Sequence, residues 1–162
     1  MKYGFVAILL IVIIFMSARN SGLLESGVNK TVAKLTNEWI RLVTEKKDPD
    51  EIYKLFCGDG ILVGTVSQVE RKGENIKKYF DYFAKLPELE VIDKKFSISE
   101  VDKNVYVNNA WITWNWKGLE KPIVARMTFI FKETEKKWCL FELHSSALPD
   151  LNKDLLQISG ET

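Results

Sequence analysis

Apolar positions recur along this chain with two different periods, and the change falls near residue 90. Before it, Val28, Val32, Leu35, Trp39 and Leu42 follow the four-and-three spacing of one helix face. That spacing predicts a helix over about Val28 to Thr44. Asp48-Pro49-Asp50-Glu51 is a helix start: Asp48 caps, Pro49 suits the first turn and Glu51 occupies the capping-box position. This second helix should be short, because Gly58 and Gly60 follow Phe56. Ile61-Leu62-Val63 then reads as a short strand, and Gly64 to Gly73, with Ser67 and Arg71, as a polar loop. Ile76, Tyr79, Phe80 and Phe83 mark a third helix, closed by Leu86-Pro87.

From Glu90 onward the period is two, as in half-buried strands. Strands are expected at Val91 to Ser99, Val105 to Lys117, Pro122 to Lys132 and Trp138 to Ser146, with turns at Asp102-Lys103-Asn104 and Lys117 to Glu120. The last two form a hairpin around Lys132 to Lys137. On its first strand Ile123, Ala125, Met127, Phe129 and Phe131 share one face, against Val124, Arg126, Thr128 and Ile130. On its second, strict alternation sets Trp138, Leu140, Glu142 and His144 against Cys139, Phe141, Leu143 and Ser145. Helices first and long strands afterwards give an α+β fold: about three N-terminal helices packed on one face of a curved antiparallel sheet. A sheet bent over helices leaves a conical hollow, the usual setting for a small-molecule pocket. The strand from Val105 places Tyr106, Ile112, Trp114 and Trp116 on one face and Trp111 on the other.

The amino terminus is a separate matter. Lys2, an apolar run centred on Phe5 to Met16, and Arg19 make residues 1–19 a secretory signal peptide or an uncleaved membrane anchor. The apolar core is shorter than the roughly 20 residues that span a bilayer comfortably. Residues 20–27 read as a linker, 28–149 as one domain and 150–162 as a tail. The domain is expected in the periplasm or outside the cell, or tethered to a membrane on the non-cytoplasmic side. The whole chain's 23 basic and 22 acidic residues are interspersed, which argues against a nucleic-acid surface. Cys57 and Cys139 lie in apolar runs, where cysteine ordinarily acts as a small hydrophobe. Export would permit a disulfide between them. No cysteine–histidine or acidic cluster has metal-ligand spacing, so neither metal nor cofactor is expected.

Four segments together resemble the NTF2-like superfamily, which includes the SnoaL-type polyketide cyclases. They are Asp48 to Ser67, Asn75 to Phe83, Ala125 to Trp138 and LHSSALP at Leu143 to Pro149. Within that superfamily the chain is most similar to the group resembling the association (hub) domain of calcium/calmodulin-dependent protein kinase II. The resemblance implies a cone-shaped fold and a homo-oligomer, a dimer or larger. It also places Arg126 at the family's pocket arginine and His144 at a histidine near the end of the last strand. Ser145 stands where the kinase hub has an arginine, and Glu142 where relatives often have histidine. A Glu142–Arg126 pair would therefore weaken the anion-binding character of the pocket.

The candidate site follows from these residues. Arg126, a cation within an apolar strand, needs a partner or a wet cavity and could anchor a carboxylate-bearing ligand. His144 is the candidate general acid or base. Tyr79 and Trp114 are candidate pocket walls. Each has a plain structural alternative: an ion pair for Arg126, a hydrogen-bonded strand end for His144, core packing for Tyr79 and Trp114. Two functions are consistent with the residues. One is a non-catalytic module that binds a small ligand, self-associates, or both. The alternative is a SnoaL-type isomerase, cyclase or dehydratase.

Overall fold

The computed structural model describes residues 27–65, 67–135 and 137–149. The N-terminal apolar run, all of the linker but Gly27, and the C-terminal tail lie outside these residues. Among the described residues no helix is long and apolar enough to cross a membrane.

Helix α1 covers residues 27–41 and continues as a π-helical turn, Leu42–Lys46. It ends at Lys47, whose left-handed backbone (φ 54°) turns its N–H onto the Leu42 carbonyl at 2.7 Å. Helix α2, Pro49–Lys54, starts as the sequence predicts: the Asp48 carboxylate accepts from the N–H groups of Asp50 and Glu51. Glu51 does not complete a capping box; its carboxylate pairs with Lys54 one turn on.

Strand β1, Phe56–Val63, is longer than expected and contains both glycines. It runs parallel to the last strand, and its register shifts between Phe56 and Ile61. At Gly60 a Cβ would stand 2.9 Å from the Cys57 carbonyl and 3.1 Å from that of Leu140. Glycine here permits a bulge and a close backbone approach; it does not end the element. Strand β2, Arg71–Lys72, lies inside the expected loop and pairs antiparallel with β1. Helix α3, Glu74–Phe83, follows. Then come β3 (Glu90–Asp102), β4 (Val105–Asn115), β5 (Ile123–Thr134) and β6 (Lys137–Ala147). The sheet order is β2-β1-β6-β5-β4-β3, antiparallel throughout except for β1–β6.

The helices cover one face of this sheet. Ile112, Phe129, Leu140 and Leu143 meet Val32, Trp39, Val43, Ile76 and Phe80 in a single core. Burying each such side chain contributes roughly 1.5–3 kcal/mol. One polar pair sits among them: the Asn108 amide donates to the Thr36 hydroxyl at 2.9 Å, and that hydroxyl donates to the Val32 carbonyl at 3.0 Å.

Two departures from the sequence pattern matter for the site. Cys57 and Cys139 are joined by a disulfide across β1 and β6, so both were more than small hydrophobes. On β6 the strict alternation fails. The register against β5 jumps from Glu142, opposite Ile130, to Leu140, opposite Phe131. Phe141 is the extra residue of a β-bulge. Beyond it Leu143 and Ser145 turn inward, while Glu142 and His144 turn outward.

Candidate functional site

A cavity of about 50 Å³ remains between the inner sheet face and helices α1 and α3. It is about a third of the ~150 Å³ of an engineered apolar cavity that takes benzene. Side chains thus fill most of the expected hollow. Trp39 lines it, edge-on to Phe80, Trp114 and Phe129 at centroid distances of 6.0, 6.1 and 5.2 Å. Phe83, Met127 and Leu143 complete the apolar wall. The Trp39 indole N–H is buried and has no acceptor among the described residues.

Three hydroxyl-bearing side chains line the rest: Thr65, Ser145 and Tyr79. The Thr65 and Ser145 hydroxyls bond each other across 80 residues of sequence. The Tyr79 ring stacks on Phe83 and packs edge-on to Phe80. Its phenol end lies against Gly64, where any Cβ would overlap the ring. Glycine at 64 is what lets the tyrosine lie across the cavity.

One cation accompanies this rim. Arg71 on β2 stands directly opposite Leu62 on β1, and opposite residues of an antiparallel pair share a face. Leu62 is buried and lines the cavity, so Arg71 springs from the cavity side of the sheet. Its guanidinium carbon lies 5.6 Å from the centroid of the Tyr79 ring. Its Nε donates to the Ser67 hydroxyl at 3.1 Å.

The sequence-predicted residues divide between the two faces. Tyr79 and Trp114 line the cavity as expected. Arg126 does not. It is exposed, between inward-facing Ala125 and Met127, and stands opposite Trp111 on β4 and Ser146 on β6. His144 is also exposed, opposite Thr128 on the outer face. Glu142 faces Ile130 and Ile61, four positions along β5 from Arg126; it makes no ion pair with Arg126 among the described residues. The alternation of β5 already sets Arg126 against the core face, and a pocket position there would need a local break. The break occurs on β6 instead and turns His144 out. These three side chains therefore belong to the sheet surface, and the guanidinium on the cavity side is that of Arg71. Among the described residues no group of three His, Cys, Asp or Glu side chains is placed to hold a metal ion.

A family model described as a SnoaL-like domain matches residues 32–150. The chain belongs to the SnoaL-like, NTF2-like family. Among solved structures, this SnoaL-like domain is similar to a Xanthomonas campestris protein named "Putative calcium/calmodulin dependent protein kinase II association domain". Identity there is 27%, the TM-score is 0.65, and the match covers 75% of this chain and 88% of that one. It is also similar to an NTF2-like protein with a cystatin-like fold from Novosphingobium aromaticivorans, at 16% identity, TM-score 0.67 and coverage of 83% and 89%. A Streptomyces avermitilis protein named "Putative dehydratase from the NTF2-like family" matches at 12% identity, TM-score 0.63 and coverage of 74% and 95%. Among curated proteins none matches the chain.

Residues of this SnoaL-like domain that the sequence pattern did not offer as site candidates are Thr65, Ser145 and Arg71. A strand of two residues is too short to show a period, so Arg71 reads as loop. Ser145 faces the cavity only because of the bulge at Phe141, which no turn residue announces.

Proposed function

We propose that this SnoaL-like domain is a non-catalytic module that holds a small ligand in its inner cavity and associates with copies of itself, on the exported side of a membrane. The observation that carries the reading is the chemistry of the cavity wall: aromatic and aliphatic side chains with three hydroxyls and, among the described residues, no carboxylate or imidazole. Proton-transfer chemistry needs a positioned base facing the substrate. The one histidine stands on the opposite sheet face, so the isomerase, cyclase or dehydratase alternative has less support.

Self-association draws on the likeness to the Xanthomonas protein and on the outer sheet face. There Trp111 is 46% exposed in mid-strand, with partly buried Val107, Val124 and Ile130 on the same face. Export draws on the N-terminal apolar run and on the Cys57–Cys139 disulfide, a bond that persists in oxidising compartments.

A heteronuclear NMR titration with small apolar and amphipathic molecules tests the cavity. Shifts centred on the Trp39 indole and the Met127 methyl, absent in Ala125→Leu, are expected. Shifts confined to the outer face, or unchanged in Ala125→Leu, would overturn the cavity reading.

A further inference from the structure

We propose that the outer sheet face binds an acidic oligosaccharide, with one sugar ring stacked on Trp111 and uronate carboxylates on Lys95 and Arg126. This site is separate from the inner cavity and lies on the opposite side of the sheet.

The strand register brings these three side chains together. Lys95 on β3, Trp111 on β4 and Arg126 on β5 stand directly opposite one another, and Ser146 on β6 continues the row. Opposite residues share a face, so the two cations flank the indole, two strand spacings or about 10 Å apart. Lys95 and Arg126 are exposed, and Trp111 is 46% exposed. The adjacent row is Ser97, Asn109, Thr128 and His144. In it the Thr128 hydroxyl donates to Asn109 Oδ1 at 3.1 Å, which leaves the Asn109 amide nitrogen available as a donor.

Charge decides the kind of ligand. Among the described residues Lys95 and Arg126 have no acidic partner, whereas Arg41, Lys54, Lys72, Lys77, Lys85 and Lys117 each have one. The two rows contain no carboxylate; Asp93 and Glu142 stand in the rows on either side. An open indole between two uncompensated cations suits a ligand with a flat apolar face and repeated negative charge. A pyranose presents C–H groups to the indole, its hydroxyls match the serine, asparagine and threonine row, and uronate carboxylates match the guanidinium and ammonium groups. Single-stranded nucleic acid also combines stacking with negative charge, but its binding sites track the backbone along a basic groove and stack successive bases on several aromatics. Here Trp111 is the one exposed tryptophan among the described residues, on a chain of net charge +1. The Cys57–Cys139 disulfide is a bond of oxidising compartments, the extracellular space among them, which favours a glycan. The patch overlaps the surface proposed above for self-association, so an oligosaccharide and a second copy compete for Trp111.

The test is calorimetric and NMR titration of the full chain, at low ionic strength, with tetragalacturonate, its neutral methyl ester and a short oligothymidylate. The proteins are wild type, Lys95→Gln/Arg126→Gln, Trp111→Ser and Lys78→Gln/Lys85→Gln. The last removes two cations from the helix side of the sheet. Wild type should bind tetragalacturonate at least tenfold more tightly than the ester, with shifts at the Trp111 indole N–H. Lys95→Gln/Arg126→Gln should lose that preference, Trp111→Ser should weaken both sugars, and Lys78→Gln/Lys85→Gln should match wild type. Equal affinity for acid and ester, an equal loss in Lys78→Gln/Lys85→Gln, or tighter binding of oligothymidylate overturns the proposal. Light scattering on the same samples separates it from self-association. A dimer in a chain that binds no tetragalacturonate overturns the glycan site and leaves self-association standing. Tetragalacturonate bound by a strictly monomeric chain supports the glycan site and overturns self-association.

Discussion

Trp111 and Arg126 stand directly opposite each other in the β4–β5 ladder, on the sheet face turned away from the helices. The arginine is thus a neighbour of the exposed tryptophan and not a wall of the cavity. If this face joins two copies, Trp111 is its natural anchor, since buried tryptophans at interfaces commonly contribute about 2 kcal/mol or more. Trp111→Ser should weaken a dimer roughly 30-fold, read by light scattering across a concentration series. A wild-type chain that stays monomeric at high concentration removes the association proposal. In the same preparation, small apolar molecules should raise the melting temperature of Arg126→Ala as much as that of wild type. A response lost in Arg126→Ala would return that residue to the cavity.

The disulfide closes a sequence separation of 82 residues. In the chain-entropy treatment, constraining a loop of that size stabilises the native state by about 4.5 kcal/mol. It also pins β1 to β6 where their register breaks. The double variant Cys57→Ala/Cys139→Ala should lose about 2–4 kcal/mol in urea unfolding, and a reductant should lower wild type to a similar level. Equal stability of the reduced and oxidised chains would show that the cysteines act only through packing.

Thr36 and Asn108 form a buried polar link between α1 and β4. Thr36→Val leaves the Asn108 amide without its acceptor, at a cost of about 1–3 kcal/mol. Replacing both, in Thr36→Val/Asn108→Leu, removes the stranded group and should recover most of the loss. A double-mutant cycle in urea measures the coupling; additive losses would refute it.

On the solvent side of α1, Arg41 donates from Nε and Nη2 to the two oxygens of Glu38 at 2.8 and 2.7 Å. That hydrogen bonding holds the Glu38 carboxyl below its ordinary value. A carboxyl depressed in the folded state adds stability at pH above its unfolded value, and this is lost as pH falls through the folded one. Both groups are more than a third exposed, so the contribution is small and screened by salt. Carbon-13 NMR should show Glu38 titrating at lower pH in wild type than in Arg41→Gln. Coincident titrations would show that the pair is not populated in solution.

Much of the architecture was readable in one dimension. The four-and-three spacing from Val28, the Asp48-Pro49 start and the period-two runs after Glu90 each rest on contacts within one element, and sequence spacing reports those directly. The grouping of Ala125, Met127 and Phe129 on one face of β5 also holds, because β5 keeps an unbroken pleat; that this face is the core face came from the folded arrangement. Gly58 and Gly60 misled because a glycine that ends a helix looks the same as one that lets a strand pass close to a neighbour. β2 was missed because two residues show no period.

The chain by itself determined the three helices and the four long strands after Glu90, and with them the α+β class, because those choices depend on neighbours a few residues apart. Only the folded arrangement decided which arginine stands on the cavity side of the sheet, that Cys57 meets Cys139, and that the space beneath the sheet is nearly full. The placing of Arg71 hangs on its pairing with Leu62, and the outward turn of His144 on a single inserted residue at Phe141. In a strand, a shift of one position moves every following side chain to the other face. Such a shift arises from contacts across the sheet, which spacing along the chain does not record.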